Sequence, residues 1–206
     1  GATTARGDLP TIMGKLAIMS NYPVHVPFPG RLIFVGFGSI GQGVLPLILR
    51  HVGIQPDQIT IVTAEEAGEK VAAEYGVRFI KHPLARENHK NVLDPIVGRG
   101  DFLLNLSVDV SSIALIKFCW EKGSLYLDTC IEPWPGGYTD PTVSPARRTN
   151  YALREEALTL KDSKQRAPTA VLTHGANPGL VSHLVKQALL NIAADTGVET
   201  AEPGTR

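Results

Sequence analysis

Short apolar runs alternate along the chain with longer stretches whose apolar residues recur every three or four positions. The runs at 32–35, 59–62, 77–80, 102–106, 125–127 and 170–173 read as strands. Each lacks polar alternation, as expected where helices cover both faces of a parallel sheet. Between them, the spacing predicts helices over 40–51, 66–75, 89–97, 111–122 and 151–161. Asp109, Ser111 and Ser112 are candidate N-caps for the fourth of these, whose Ile113, Ile116 and Trp120 form a core stripe. A last helix is predicted from "NPGLVSHLVKQALLNIAADTG", with Asn177 as N-cap, Pro178 in the first turn and Gly197 past the end. Strands alternating with helices in this way predict an α/β fold, a doubly wound parallel sheet.

Composition narrows the functional classes. With 206 residues, 43% of them apolar, the chain can bury a good-sized core. Lys+Arg and Asp+Glu both number 20, so no basic excess exists to hold a nucleic-acid backbone, and no nucleic-acid partner is expected. The 18 residues from Leu32 to Leu49 are uncharged, but four glycines, a proline and a glutamine among them favour strand, turn and helix over a membrane span. Two cysteines, Cys119 and Cys130, have no metal-ligand spacing and suit the reduced thiols of a cytoplasmic protein; no metal site is expected. Residues 1–29 mix Pro, Gly and Thr without a secretory h-region and read as an N-terminal extension, with a plausible start at Met19.

The first predicted strand runs into "GFGSIG" and then a helix, the context that gives a GxGxxG spacing its meaning. Gly36 permits the tight turn, Gly38 lets the backbone approach a pyrophosphate, and Gly41 lets helix and strand pack closely. The first N–H groups of the helix then face the phosphates. The fold expected is therefore a Rossmann-type sheet. The loop residues Gly36, Phe37, Gly38, Ser39, Ile40 and Gly41, with Thr63, Asn105, Ser107 and Thr129 at later strand ends, are the cofactor-binding candidates. Where an acidic side chain would take the ribose hydroxyls of NAD stands Thr63, followed by Ala64, Glu65 and Glu66. No arginine awaits a 2′-phosphate there, and the glutamates would repel one, so NAD is favoured over NADP.

Ligands of open α/β sheets bind beyond the carboxyl ends of the strands. Here those ends carry "LNLSVDVSS", "DTCIEPWPGGY" and "THGANPG", bringing Asp109, Glu132 and Asn177 toward one cleft. Each has a second reading. Asp109 and Asn177 could be helix caps, His174 a satisfied strand-end histidine, and Asp128 an acceptor that orders its loop. Pro133 holds Glu132 extended with no helix to cap, which leaves a carboxylate free for a cationic ligand. Trp134 either packs or offers a ring face to an ammonium group.

The segments "GFGSIGQGVLPLI", "GVRFIK", "NLSVDVSS", "YLDTCIEPW", "NYALRE" and "GANPGLVSHLVKQAL" together resemble bacterial homospermidine synthase, over residues 29–203. A broader resemblance, through the glycine loop and its sheet, is to saccharopine-dehydrogenase-like reductases. The resemblance implies a transferase with no net redox change. Putrescine gives a hydride to NAD, the imine exchanges ammonia for a second putrescine, and the hydride returns to yield homospermidine. It further implies that Asp109, Glu132 and Asn177 are catalytic, that these and Trp134 meet the polyamine, and that the protein forms a homo-oligomer, a homodimer in the family.

The domain organisation expected is an extension over 1–29, an NAD-binding domain over 30–175, and a helix over 176–206 leading into a catalytic domain that is missing or truncated. On that reading the chain holds the cofactor half and one wall of the substrate site, and is inactive alone. Two other functions remain open: a saccharopine- or carboxynorspermidine-type dehydrogenase with net hydride transfer, and a dinucleotide-binding fragment without catalysis.

Overall fold

The computed structural model describes residues 22–161 and 166–198. Met19 and most of the expected N-terminal extension, and the last residues of the expected C-terminal segment, lie outside them. In chain order the elements are β1 (Val26–Pro27), β2 (Leu32–Val35), α1 (Ser39–His51), β3 (Val52–Gly53), β4 (Ile59–Thr63), α2 (Glu69–Glu74), β5 (Arg78–Lys81) and α3 (His89–Leu93). There follow β6 (Phe102–Asn105), α4 (Ser112–Lys122), β7 (Leu125–Asp128), α5 (Asn150–Thr159), β8 (Ala170–Val171) and α6 (Leu180–Thr196).

Among the described residues, one six-stranded sheet runs β5-β4-β2-β6-β7-β8 with every neighbouring pair parallel. This is the doubly wound order, in which the chain moves outward from β2 on one side and then resumes at β6 on the other. Alternate residues of β2 feed two cores. Leu32 and Phe34 join Leu45, Ile59 and Ile61 on one face, while Ile33 and Val35 join Leu103, Ile116 and Phe118 on the other. At the amino end of the sheet the buried Asp101 carboxylate accepts from the Arg31 main chain at 2.8 Å and from Arg31 Nε at 2.9 Å. That leaves the carboxyl end for a site.

Several elements differ from the sequence expectation for local reasons. The second helix begins at Glu69 rather than 66; just before it, Gly68 lies so close to Phe37 that a Cβ there would sit 2.4 Å from the ring. The third ends at Leu93 rather than 97: Asp94 still has helical dihedrals, but Pro95 has no N–H to continue the ladder. Ser111, not Asp109 or Ser112, caps α4, its Oγ accepting from the Ala114 N–H at 3.3 Å. The last strand ends at Val171, two residues before Thr173 adopts φ 57°. Asn177 caps nothing: α6 starts at Leu180, and residues 175–179 close a loop through the Gly175–Gly179 bridge. The short pair of β1 with β3 was not foreseen; it ties the segment before the first sheet strand to the end of α1.

Candidate functional site

Strands β2 and β6 are neighbours whose crossovers leave in opposite directions, so a crevice opens beyond their carboxyl ends. It has a volume of about 450 Å³, and its lining includes Gly36, Gly38, Thr63, Glu65, Ser107 and Asp109. That volume lies in the range of small-molecule sites. A larger open hollow of about 800 Å³ lies between residues 142–147 and α5. It has neither strand ends nor a glycine turn, and the crevice at the switch point is where the chemistry converges.

The two glycines of the turn are needed for different reasons. Gly36 has φ 85°, and a Cβ on it would lie 2.8 Å from the Ser107 backbone, so the turn itself demands glycine. Gly38 has an ordinary φ of −76°, and a Cβ there would meet nothing within 4 Å. What its bareness leaves is open space at the head of α1, where no side chain caps the first N–H groups. A pyrophosphate group fits that cradle. Gly41 is buried, 2.8 Å from a ring carbon of Phe37 were it to carry a Cβ. Phe37 turns its ring into the core against Phe34, and Ser39 and Ile40 are exposed outside the crevice lining.

At the far end of the crevice, Thr63 Oγ1 accepts from the Glu65 N–H at 3.5 Å, and Glu65 stands exposed on the lining. Glu66 pairs with Lys81, the hydrogen bond and charge of which hold its carboxyl below the usual range. Lys81 is thus already engaged. His82 and Leu84, just past β5, also line the crevice. Sequence reading passed over them, although a polar residue one step beyond a strand's carboxyl end was the available signal.

Glu132 is fixed by its main chain. Its N–H donates to Ser112 Oγ at 3.0 Å, and the Ser112 N–H donates to the Glu132 carbonyl at 2.9 Å. The Cys130 thiol donates to Glu132 Oε1 at 3.4 Å. Burial pushes the Glu132 carboxyl upward, the thiol opposes this, and the charge of Asp109 adds to the rise. The charge of Asp109 thus reaches Glu132, although Asp109 lines the crevice and Glu132 lies outside its lining. Asp109 itself is exposed at φ 61°; it and Thr173 are the non-glycine residues with positive φ among those described. Both sit at strand ends around the site, where strained backbone tends to concentrate. Burial and Glu132 raise the Cys130 thiol to about 11, so it stays a protonated donor and not a nucleophile.

Other candidates fall elsewhere. Trp134 is 9% exposed, belongs to the core, and sets its ring 5.3 Å from that of His89, so the expectation of a ring face open to ammonium gives way to packing. Asn105 is buried and reaches Ser107 rather than the crevice. Thr129 packs against Gly175, where a Cβ would come within 3.4 Å. Asn177 is exposed in the 175–179 loop, outside the crevice lining. His174 is exposed with its ring 5.7 Å from that of His183. Ser112, Tyr126 and Tyr138, which organise the Glu132 side of the site, stand inside the segments "NLSVDVSS", "YLDTCIEPW" and "DTCIEPWPGGY" but were given no site role there.

Comparison with known proteins agrees with this geometry. Residues 32–172 match the family model described as saccharopine dehydrogenase NADP binding domain. The homospermidine synthase of Blastochloris viridis is 44% identical over 191 residues, covering 91% of this chain and 40% of the relative. That of Mesorhizobium japonicum is 43% identical over 186 residues, covering 89% and 38%. The crystal structure of Legionella pneumophila homospermidine synthase in complex with NAD superposes with a TM-score of 0.76 at 44% identity, covering 87% of this chain and 36% of that one. The chain thus spans about two-fifths of the length of the curated relatives. Sheet order, glycine turn and sequence agree: the chain belongs to the saccharopine dehydrogenase NADP-binding-domain family and is similar, within it, to homospermidine synthases.

Proposed function

We propose that the chain holds NAD in the crevice beside the glycine turn and forms the cofactor-binding part of a cytoplasmic homospermidine-synthase-type enzyme acting on putrescine. The observation that carries this reading is Gly38, a glycine its own backbone does not require, at the head of an uncapped helix, in a chain 44% identical to an NAD-bound homospermidine synthase. When bound, NAD supplies the acceptor and later the donor of a hydride. The protein's residues bind and orient. Gly36 and Gly38 admit the pyrophosphate, Thr63 and Glu65 meet the adenosine ribose, and Ser107 lies toward the nicotinamide. Asp109 and Glu132 supply the negative charge a diamine needs. The raised Glu132 carboxyl is suited to take up a proton as an ammonium becomes the neutral amine from which hydride can leave.

Although the family model is described by NADP, the acidic pair Glu65–Glu66 and the engaged Lys81 favour NAD. Titration calorimetry of the chain with each cofactor tests this. NAD is expected to bind, and NADP about tenfold or more weakly, a difference of about 1.4 kcal/mol. Equal or tighter NADP binding would overturn the choice of cofactor, and binding of neither would overturn the site.

A further inference from the structure

Behind the crevice lies a line of buried polar groups that neither the glycine turn nor Glu132 requires. Its direction follows from hydrogen-bond valence. The Ser107 main chain is an obligatory donor, and its N–H lies 3.2 Å from Asn105 Oδ1, with the Ser107 hydroxyl 2.6 Å from the same oxygen. Asn105 must therefore turn Nδ2 the other way, where it donates to the Tyr126 hydroxyl at 3.2 Å. With its oxygen accepting there, Tyr126 has one proton left, and it donates to Asp128 Oδ2 at 2.8 Å. Asp128 Oδ1 accepts from the Thr173 N–H at 2.6 Å, and the Asp128 carbonyl accepts from the His174 N–H at 3.0 Å. Asn105, Tyr126 and Asp128 are all buried.

We propose that Asp128 is a positioning residue, the acceptor on which the Ser107 side of the crevice and the loop at residues 173–179 converge, so that cofactor at the first orders the second. This rests on the NAD reading above. The outer end of the line is in contact with the cofactor turn, because Gly36 lies against the Ser107 backbone. The inner end holds Thr173 at φ 57°, a conformation a β-branched residue does not keep unaided, and Thr173 opens the loop that carries Asn177. Burial raises the Asp128 carboxyl, and among the hydrogen bonds that oppose this is one from Ser112, the residue that grips Glu132. Burial raises the Tyr126 hydroxyl well above its ordinary value, so it remains a donor throughout the working range. An aspartate that merely satisfied its own loop would not need Tyr126 and Asn105 aligned behind it.

Hydrogen exchange of the chain, with and without saturating NAD, tests the proposal in the wild type, Tyr126→Phe and Asp128→Asn. In the wild type, NAD is expected to slow exchange at 36–42 and also at 172–179. In Tyr126→Phe it should still slow 36–42, while the slowing at 172–179 falls about fivefold or more. Loss of general stability would affect both segments alike. Equal slowing at 172–179 in wild type and variant would overturn the proposal, as would slowing at 36–42 with none at 172–179 in the wild type. If NAD leaves 36–42 unaffected, the cofactor reading has failed, and the cofactor-free comparison decides the positioning role. Both variants must then exchange faster at 172–174 while α4 is unchanged, and unaltered rates would sink it. Should either core variant fail to fold, Ser107→Ala removes only the outermost hydroxyl, and must reduce the NAD-dependent slowing at 172–179 relative to 36–42.

Discussion

Gly36 and Gly38 stand two positions apart and answer to different constraints, so parallel substitutions separate folding from binding. At Gly36 alanine would need φ 85° and would press a Cβ to 2.8 Å from the Ser107 main chain. Gly36→Ala is expected to destabilise the chain by about 1–3 kcal/mol and to lose NAD with it. At Gly38 the same methyl meets nothing, so Gly38→Ala should stay within about 0.5 kcal/mol of wild type in urea unfolding while NAD binding weakens about tenfold or more. Unchanged NAD affinity in Gly38→Ala would remove the pyrophosphate from this turn. Glu132 offers a second residue-scale test. Because its carboxyl is raised mainly by burial, the folded state binds the proton more tightly than the unfolded chain. Stability must then fall as pH rises from the ordinary glutamate value, about 4.3, through the folded value. Glu132→Gln should flatten that part of the profile, which urea titrations between pH 4 and 8 would show. In an active protein carrying this chain, the same substitution is expected to reduce putrescine turnover and leave NAD binding intact; a loss of NAD affinity without a change in turnover per bound NAD would make Glu132 a residue of the fold only.

At the scale of elements, α4 shows how a helix start can look like a site. Asp109, Ser111 and Ser112 all precede the same apolar stripe, and any of them could have capped it. In the folded chain Ser111 takes the cap, Ser112 grips Glu132, and Asp109 is left exposed with its charge near Glu132. Ser111→Ala should therefore cost about 1 kcal/mol, whereas Asp109→Gly, which suits the left-handed φ of 61°, should cost no more than about 0.5, both read from thermal or urea unfolding. A larger loss at Asp109 would return it to a structural role. The strands and the glycine turn were legible because their signals are local: runs of apolar residues, and a GxGxxG spacing between strand and helix. Ser107 and Asp109 on the crevice lining were legible because strand ends in such a sheet converge, whereas Glu132 lies outside that lining. What sequence could not show was where a side chain turns once its neighbours are in place. Trp134 goes into the core against His89, and Asn105 spends its amide on Ser107 and Tyr126. The contacts of Trp134 with His89 and of Asn105 with Tyr126 join residues distant in the chain. Asn177 misled for another reason, since the Asn-Pro-Gly string that usually opens a helix here closes a glycine-bounded loop before one.

On the scale of the whole molecule, the two cores and α6 differ in kind. The sheet buries apolar residues on both faces, but none of the residues of α6 is buried, and Leu184, Val185, Leu189 and Ile192 are each more than half exposed. Among the described residues this is the longest helix, and its stability comes chiefly from its own backbone hydrogen bonds and the left-handed Gly197 that ends it. A helix of 17 residues without a packed face is marginal in water, because the cost of nucleation is offset only by propagation and not by tertiary burial. Helix α4, with six buried residues and a side-chain cap, is the internal reference. Hydrogen exchange should therefore find α6 amides exchanging by local opening far faster than those of α4, with a free energy of opening near zero against a value approaching that of global unfolding for α4. Replacing Leu184 and Leu189 together by glutamate should reduce binding of a hydrophobic dye without changing the unfolding midpoint of the sheet. Equal protection of the two helices would show that the apolar face of α6 is covered in solution, and a fall in the midpoint of the double variant would show that the cover comes from the sheet domain itself.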